Sequence, residues 1–412
     1  MNGNGPARPR PGAPAGPILI GFAGALAAPE AAMSLLSAGF SVAAFTQGDD
    51  RPALRRDKRV SLHRITDPRQ STAGAATDLI ALARRRGAVA LMPLDDGSLW
   101  LCDQVAEQLG LPVIGPTGAQ ARLALDKSVQ VTLAAGAGMA VPLTTVCRTP
   151  EQLLALRAFP LILKPALAAA EAGGLLARGS AIVCADAGEL AAGTSSWDPA
   201  RGPMLAQPWV RGTGEGLFGI AAGGKVGHWS AHRRLRMANP QGSGSSACIS
   251  IAADPELVAA GSRMMRDAGW EGLFMLEFLR DRTGTPWFME LNGRSWGSLA
   301  LARRLGLEYP AWAAREALGI EPPPAVVTGP AGGEPVVCRH LGREIVHVLS
   351  VLRGPRSAAI ADWPSRWGTL KAVARVRRAE RWYNWSRPQP AVFVDDTVQT
   401  VLEPFLRRRV GR

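Results

Sequence analysis

Trp287-Phe-Met-Glu290-Leu-Asn292-Gly-Arg294 sets Glu290, Asn292 and Arg294 at alternate positions in an apolar stretch. In a strand, side chains two apart point to one face, so two oxygen ligands and a guanidinium would share one surface. Upstream runs Gly272-Leu-Phe-Met-Leu-Glu277-Phe-Leu-Arg280, and the six residues from Asp281 to Pro286, with Gly284 among them, supply the turn chemistry of an antiparallel hairpin. Sequence does not determine the register. If the two acids share a face, Glu277 lies opposite Glu290. Carboxylates in apolar strands are costly unless something compensates their charge. A hard divalent cation does so, and two carboxylates plus an amide oxygen suit Mg2+ bridging nucleotide phosphates. The competing reading pairs Glu277 and Glu290 with Arg280 and Arg294 at the hairpin ends.

At 412 residues the chain is long enough for two or three domains, and an apolar content of 47% is that of a globular protein. The net charge of +13 favours acidic partners such as nucleotides, anionic lipid or nucleic acid. The basic residues are spread along most of the chain, with neither an interleaved aromatic ladder nor zinc-ligand spacing, which argues against specific nucleic-acid binding. Cys102, Cys147, Cys184, Cys248 and Cys338 are far apart and read as buried thiols of a reducing compartment, the cytoplasm. Residues 1–16 are rich in Gly, Pro and Arg and are expected to be disordered. A signal peptide is the alternative reading of Arg8, Arg10 and the apolar run Ile18 to Ala28. The same run reads better as a first strand entering a glycine turn.

Strands at 17–21, 41–45, 89–92 and 112–115 alternate with helices at 27–38, 77–86 and 99–109, which predicts a parallel, Rossmann-like sheet. Asp95-Asp96-Gly97 follows a strand end and reads as a plain turn, although ligands often sit at such ends. A single long helix is expected from Ala119 to Ala135, carrying Asp126-Lys127. Phe159-Pro-Leu-Ile-Leu-Lys164-Pro165 is a buried strand that ends in one of only five lysines, so either a compact point charge is wanted there or the lysine reaches out to solvent. The Ala/Gly-rich segment 168–174 is a candidate flap over phosphates. Met204 to Val210 reads as a strand, 217–221 and 226–230 as a hairpin, 239–246 as a mobile Gly/Ser loop and 255–269 as a helix. The last 90 or so residues open with Glu321-Pro-Pro-Pro324 and hold a basic amphipathic segment, Leu370 to Arg381, and the tail Arg407 to Arg412. These basic stretches form either a solvated face or a contact with an anionic surface.

Taken in this order, the residues resemble an ATP-grasp enzyme over roughly residues 17 to 320. The resemblance lies in Asp126-Lys127, Leu163-Lys164-Pro165, Gln207-Pro-Trp-Val210, Leu276-Glu277-Phe278 and Met289-Glu290-Leu-Asn292-Gly-Arg294, and His232-Arg233-Arg234-Leu235 looks like the carboxylate-amine ligase branch related to carbamoyl-phosphate synthase. It implies an α/β fold. A Rossmann-like domain (17–118) precedes an ATP-grasp domain (119–320, lobes about 119–204 and 205–320), and a helical, basic extension (321–412) follows. It implies ATP and Mg2+, with Mn2+ as a substitute. Lys127 and Lys164 would contact phosphates, with Lys164 also near the adenine. The hinge Gln207, Trp209 and Val210 would read the adenine edge, and Glu215 would hold the ribose. Glu277, Glu290 and Asn292 would hold the metal, Glu277 counting also among the nucleotide contacts. Arg294, with Lys164, would act on the transferred phosphoryl group. The implied reaction is a ligase joining a small-molecule or peptide carboxylate to an amine or thiol through an acyl phosphate. A carboxylase, a phosphotransferase and a non-catalytic ATP-binding module are the alternatives, and a homodimer is compatible with all of them. Two departures stand out: the flap is Ala-rich in its first half, and Gln207-Pro208 stands where an acidic residue is frequent.

Overall fold

The computed structural model describes residues 15–410 apart from 196, 243, 322–334, 356, 358, 361 and 377–379, with side chains described to residue 402. The segment 1–14, most of the Pro-rich linker and the side chains of the basic tail lie outside the described residues.

The leading domain runs β1 (Ile18–Gly21), α1 (Ala28–Ser37), β2 (Val42–Gln47), β3 (Val60–Ile65), α2 (Thr72–Arg86), β4 (Ala90–Pro93) and α3 (Asp96–Leu109). Its four strands pair in parallel in the order β3-β2-β1-β4. Ile18, Leu19 and Ile20 are wholly buried, as expected for an internal strand covered on both faces. β3 was not foreseen, because Ser61, His63 and Arg64 interrupt its apolar pattern and half of it stays near solvent. The strand expected at 112–115 reduces to a single bridge between Val113 and Leu91.

The expected long linking helix is two helices, α4 (Gly118–Leu125) and α5 (Lys127–Gly136), broken at Asp126. The break has a tertiary cause. The Lys127 amide donates to Ala166 O at 2.8 Å, the Ala168 amide donates to Leu125 O at 2.8 Å, and Asp126 pairs with Leu167. The Asp126 carboxylate then caps α5 by accepting from the Ser128 amide at 2.8 Å.

Next come β5 (Thr145–Cys147), α6 (Pro150–Leu154), β6 (Leu161–Pro165), the hairpin β7 (Ala170–Ala172) and β8 (Leu175–Ala177), β9 (Ile182–Cys184), α7 (Ala187–Thr194) and β10 (Met204–Pro208). β5, β10, β6 and β9 form an antiparallel sheet in that order, with its own apolar core around Leu163, Leu190 and Met204.

The remainder comprises β11 (Thr213–Ala222), β12 (Lys225–Met237), β13 (Ser245–Ile251), α8 (Pro255–Asp267), β14 (Gly272–Arg280), β15 (Pro286–Asn292), α9 (Leu299–Arg304), α10 (Tyr309–Ala317), β16 (Val337–Arg339), α11 (Leu341–Arg353), α12 (Arg366–Ala374), β17 (Arg381–Trp382) and α13 (Pro390–Val410). Its sheet has seven strands, β15-β14-β11-β12-β13-β16-β17. The C-terminal extension therefore supplies helices and also two strands at one edge of this sheet. One face carries Phe274, Leu276 and Phe278 against α5 and α8. The other presents Phe218, Ile220, Leu273 and Met275 to the leading domain and α10, so one core spans both.

The C-terminal part also returns to the beginning of the chain. Asp395 on α13 accepts from Arg55 Nη2 at 2.7 Å and Arg56 Nε at 3.3 Å. Glu30, 2% exposed, accepts from Arg303 Nη1 at 2.6 Å, Arg304 Nη2 at 3.2 Å and the Asn384 amide at 2.8 Å. No helix among the described residues is long and apolar enough to cross a membrane, and all five cysteines are buried and unpaired.

On α10, burial and the nearby Glu271 push the Glu316 carboxyl up to about 7, and its Oε1 has no hydrogen-bond partner. The folded chain therefore holds this proton more tightly than the unfolded chain does. Stability falls as pH rises from the ordinary glutamate range toward 7, and the cost is complete above it. Glu316→Gln is expected to raise Tm at pH 8 by about 2 °C or more and to change it little at pH 4, measured by thermal unfolding.

Candidate active site

The β14–β15 hairpin has the register on which the site depends: Glu277 lies directly opposite Glu290. Its turn is held by Asp281, whose Oδ1 accepts from the Thr283 and Thr285 amides and whose Oδ2 accepts from Trp287 Nε1 at 2.8 Å. A bulge at Met289 follows, since Glu277 pairs with Glu290 but Phe278 pairs with Phe288. The extra residue reverses the alternation locally, so Phe288 enters the core while Glu290 faces the site. Asn292 shares that face, and its Nδ2 donates to Glu290 Oε1 at 3.1 Å.

Cations from three other elements surround the acids. Lys127 Nζ, at the start of α5, is 3.7 Å from Glu290 Oε2. Lys164, at the end of β6, is half-buried and feels both Glu290 and Glu277. Arg234 on β12 donates from Nη2 to Glu277 Oε2 at 2.5 Å. Its side chain passes over Gly214, where an added Cβ would lie 2.6 Å from Arg234 Cδ. Arg294 does not pair with Glu290. Its Nε donates to Asp96 Oδ1 at 3.0 Å, and Asp96 also accepts from Arg178 Nη2 at 3.3 Å.

Burial alone would raise the Glu290 carboxyl, but Lys127, the Asn292 hydrogen bond and Arg294 hold it below the usual glutamate range. The same competition lowers Asp96 to about 2: burial opposes, and Arg294, Arg178 and Lys127 prevail. Burial, with Lys127 beside it, holds Lys164 below an ordinary lysine against the pull of Glu290 and Glu277. His232 lies on the Glu277 face, opposite Gly216 and edge-on to Phe218 with ring centroids 4.7 Å apart. Burial and Arg234 push it down to about 3, so it is neutral near pH 7 and is a poor candidate for a general base.

The hinge residues stand at the end of β10. Gln207 is buried and donates from Nε2 to Thr144 Oγ1 at 2.8 Å, the Trp209 amide donates to Pro160 O at 3.0 Å, and Val210 follows, half-buried. The Trp209 N–H is thereby committed to the protein. Glu215 is not brought to the acids. It sits opposite Phe278, one residue out of phase with Glu277, and its Oε2 accepts from Arg280 Nε at 2.9 Å while Arg280 also reaches Asp254. Strand alternation thus turns it to the α8 face, which speaks against the expected ribose contact.

The sequence assigns no role to Asp96, Arg178, Arg234 or Gln130, yet all touch this constellation. A signal existed for two of them: Asp96 follows the end of a parallel strand, and Arg234 lies in the His232-Arg-Arg-Leu235 segment. Gly293, between Asn292 and Arg294, has a packing reason to be glycine. A Cβ there would meet Pro116 Cγ at 2.8 Å, Ala124 Cβ at 2.9 Å and Trp270 at 3.0 Å. None of these is a flexible end, so Gly293→Ala is expected to cost about 1–3 kcal/mol in denaturant unfolding and to displace Arg294.

Solved structures share this architecture. The biotin carboxylase domain of Hydrogenobacter thermophilus 2-oxoglutarate carboxylase, crystallised with MgADP, ADP and bicarbonate, matches with a TM-score of 0.59 at 16% identity over 74% of this chain and 70% of that one. L-amino acid ligase from Bacillus licheniformis matches with a TM-score of 0.56 at 18% identity over 73% of each chain. N5-carboxyaminoimidazole ribonucleotide synthetase, solved as an ADP complex, matches with a TM-score of 0.59 at 14% identity over 82% of this chain and 85% of that one. These are ATP-grasp proteins, and the chain has the ATP-grasp fold; the parallel α/β arrangement of its leading domain fits the same neighbours. No protein-family model and no curated protein sequence matches the chain.

Proposed function

We propose that the chain is an ATP- and Mg2+-dependent ligase that activates a substrate carboxylate as an acyl phosphate and passes it to an amine or thiol, releasing ADP and phosphate. The observation that carries this reading is the facing pair Glu277 and Glu290, with Asn292 beside them and Lys127 and Lys164 around them. Two carboxylates and an amide on one face fit a hard divalent cation, and Glu277, Glu290 and Asn292 would hold it. When bound, the cation neutralises charge on the nucleotide phosphates.

The chain's own residues do the rest. Lys127 and Lys164 bind phosphate oxygens, and the hinge from Gln207 to Val210 borders the adenine. Arg294 steadies the phosphoryl group in transfer, where positioning and charge neutralisation count for more than covalent chemistry. The hairpin 168–177 excludes water that would hydrolyse an acyl phosphate. The five buried, unpaired thiols suit a cytoplasmic protein.

A carboxylase is the second reading, since a matching fold was crystallised with bicarbonate. Calorimetry with ATP, with and without Mg2+, is the first test, followed by ADP release with acid and amine pairs or with bicarbonate. Mg2+-dependent ATP binding and amine-dependent ADP release are expected. ADP release that follows bicarbonate alone favours the carboxylase, and no nucleotide binding by the folded protein rejects both.

A further inference from the structure

Three parts of the molecule meet at the start of α3. Asp96 Oδ1 accepts from Arg294 Nε at 3.0 Å, Asp96 Oδ2 from Arg178 Nη2 at 3.3 Å, and Asp95 Oδ2 from Arg178 Nη1 at 2.8 Å. Arg294 belongs to the large lobe and the two aspartates to the leading domain. Arg178 ends the β7–β8 hairpin, the segment that follows Lys164. That hairpin is pinned to the same leading domain elsewhere as well. The Thr72 amide and hydroxyl donate to Gly174 O at 2.8 and 3.0 Å, the Leu176 amide donates to Pro68 O at 2.8 Å, and the Leu176 side chain is buried.

The Arg294 guanidinium is committed at Nε to Asp96 and at Nη1 to Ser295 O at 3.4 Å, and among the described residues its Nη2 bonds no protein oxygen. A planar guanidinium held along one side has its free nitrogen aimed by that hold. Asp96 is itself firmly placed, because the Asp95 and Ser98 capping box fixes the first turn of α3. The second oxygen of the same carboxylate is one of the two sites to which the hairpin is tied.

We propose that Asp96 is the positioning residue of Arg294 and that Arg178 joins it to the hairpin, so that hairpin closure and alignment of Arg294 occur together. This rests on the reading of Arg294 as facing the transferred phosphoryl group. The phosphoryl-transfer arrangement is then complete only when the hairpin has shut water out. An open hairpin leaves Arg294 with one of the two contacts that organise Asp96 gone.

The test has two arms, both on the full chain. The first is hydrogen exchange of the hairpin amides 170–177 in the ligand-free protein, which needs no assumption about activity. Arg178→Ala is expected to speed exchange about tenfold or more, Asp96→Asn less, and Arg178→Lys is expected to restore most of the protection. The second arm is steady-state ADP release. Asp96→Asn and Arg178→Ala are expected to lower kcat about 10- to 100-fold while KM for ATP changes less than about threefold, with Arg178→Lys recovering much of kcat. Wild-type exchange in Arg178→Ala overturns the coupling, and a raised KM with intact kcat in Asp96→Asn overturns the positioning role. Should the wild type bind no nucleotide, the ligase reading and with it the positioning role of Asp96 are rejected, and hairpin exchange still decides whether Arg178 is the tie.

Discussion

Glu290→Gln is expected to lower ADP release by about 100- to 1000-fold, the scale for losing one preorganised electrostatic element of a transition-state site, here a carboxylate that would hold the cation. The substitution keeps the shape and the partnership with Asn292 but removes the charge. The site then has Glu277 as its one remaining carboxylate ligand, and Glu277 already shares Oε2 with Arg234 at 2.5 Å. Lys127, 3.7 Å from Glu290 in the native chain, would face no charge there. ATP binding in Mg2+ should weaken by about tenfold or more, whereas binding without Mg2+ should hold or tighten, because Lys127 is released to the phosphates. Calorimetry under both conditions, with an ADP-coupled assay, separates the two effects. ADP release within about threefold of wild type would sink the proposed metal site.

Gln130→Leu is expected to destabilise the fold by about 2–4 kcal/mol, the range for stranding several buried backbone groups at once. Gln130 is 1% exposed, and its amide acts as a surrogate strand. Nε2 donates to Leu291 O at 3.0 Å and to Ala124 O at 2.8 Å, while Oε1 accepts from the Leu291 amide at 2.9 Å. β15 is the edge of the seven-stranded sheet; its outer amide at Phe288 donates to Ala140 O at 2.8 Å, and at Leu291 the Gln130 amide takes the place of a neighbouring strand. Leu291 sits between Glu290 and Asn292. The variant should therefore lower the denaturant midpoint and, in the fraction that remains folded, weaken Mg2+-dependent ATP binding. An unchanged midpoint would show that water replaces the amide without cost.

The alternation of Glu290, Asn292 and Arg294 marks a shared face, and the pairing of Glu277 with Glu290 follows from sequence only on the condition that the two acids share it; the structure supplies the register. The parallel leading sheet was legible because short apolar runs separated by helical patterns leave few other arrangements. What escaped was set by partners far away in the chain. Asp126 breaks a helix whose own residues favour continuity, since the groups that intrude come from Ala166 and Ala168. Asp96 looked like a turn residue because its meaning lies in Arg294, 198 positions later. A ribose role for Glu215 is what the resemblance implies, and no strand start at Thr213 is legible in the residues around it. The strand begins at Thr213, and alternation then sends the carboxylate to the opposite face. The bulge at Met289 left no trace in the residue pattern, although it is what lets Phe288 and Glu290 face opposite ways.

The contacts of Asp395 with Arg55 and Arg56 and of the Asn384 amide with Glu30 set a timetable for biosynthesis. A ribosome delivers the α1 and β3 region long before it delivers α13, with 340 residues separating Arg55 from Asp395. Until then the Glu30 carboxylate lacks the Asn384 amide as a donor. These contacts of long sequence separation add loop-closure cost to completing the leading domain, which the full-length chain alone can finish.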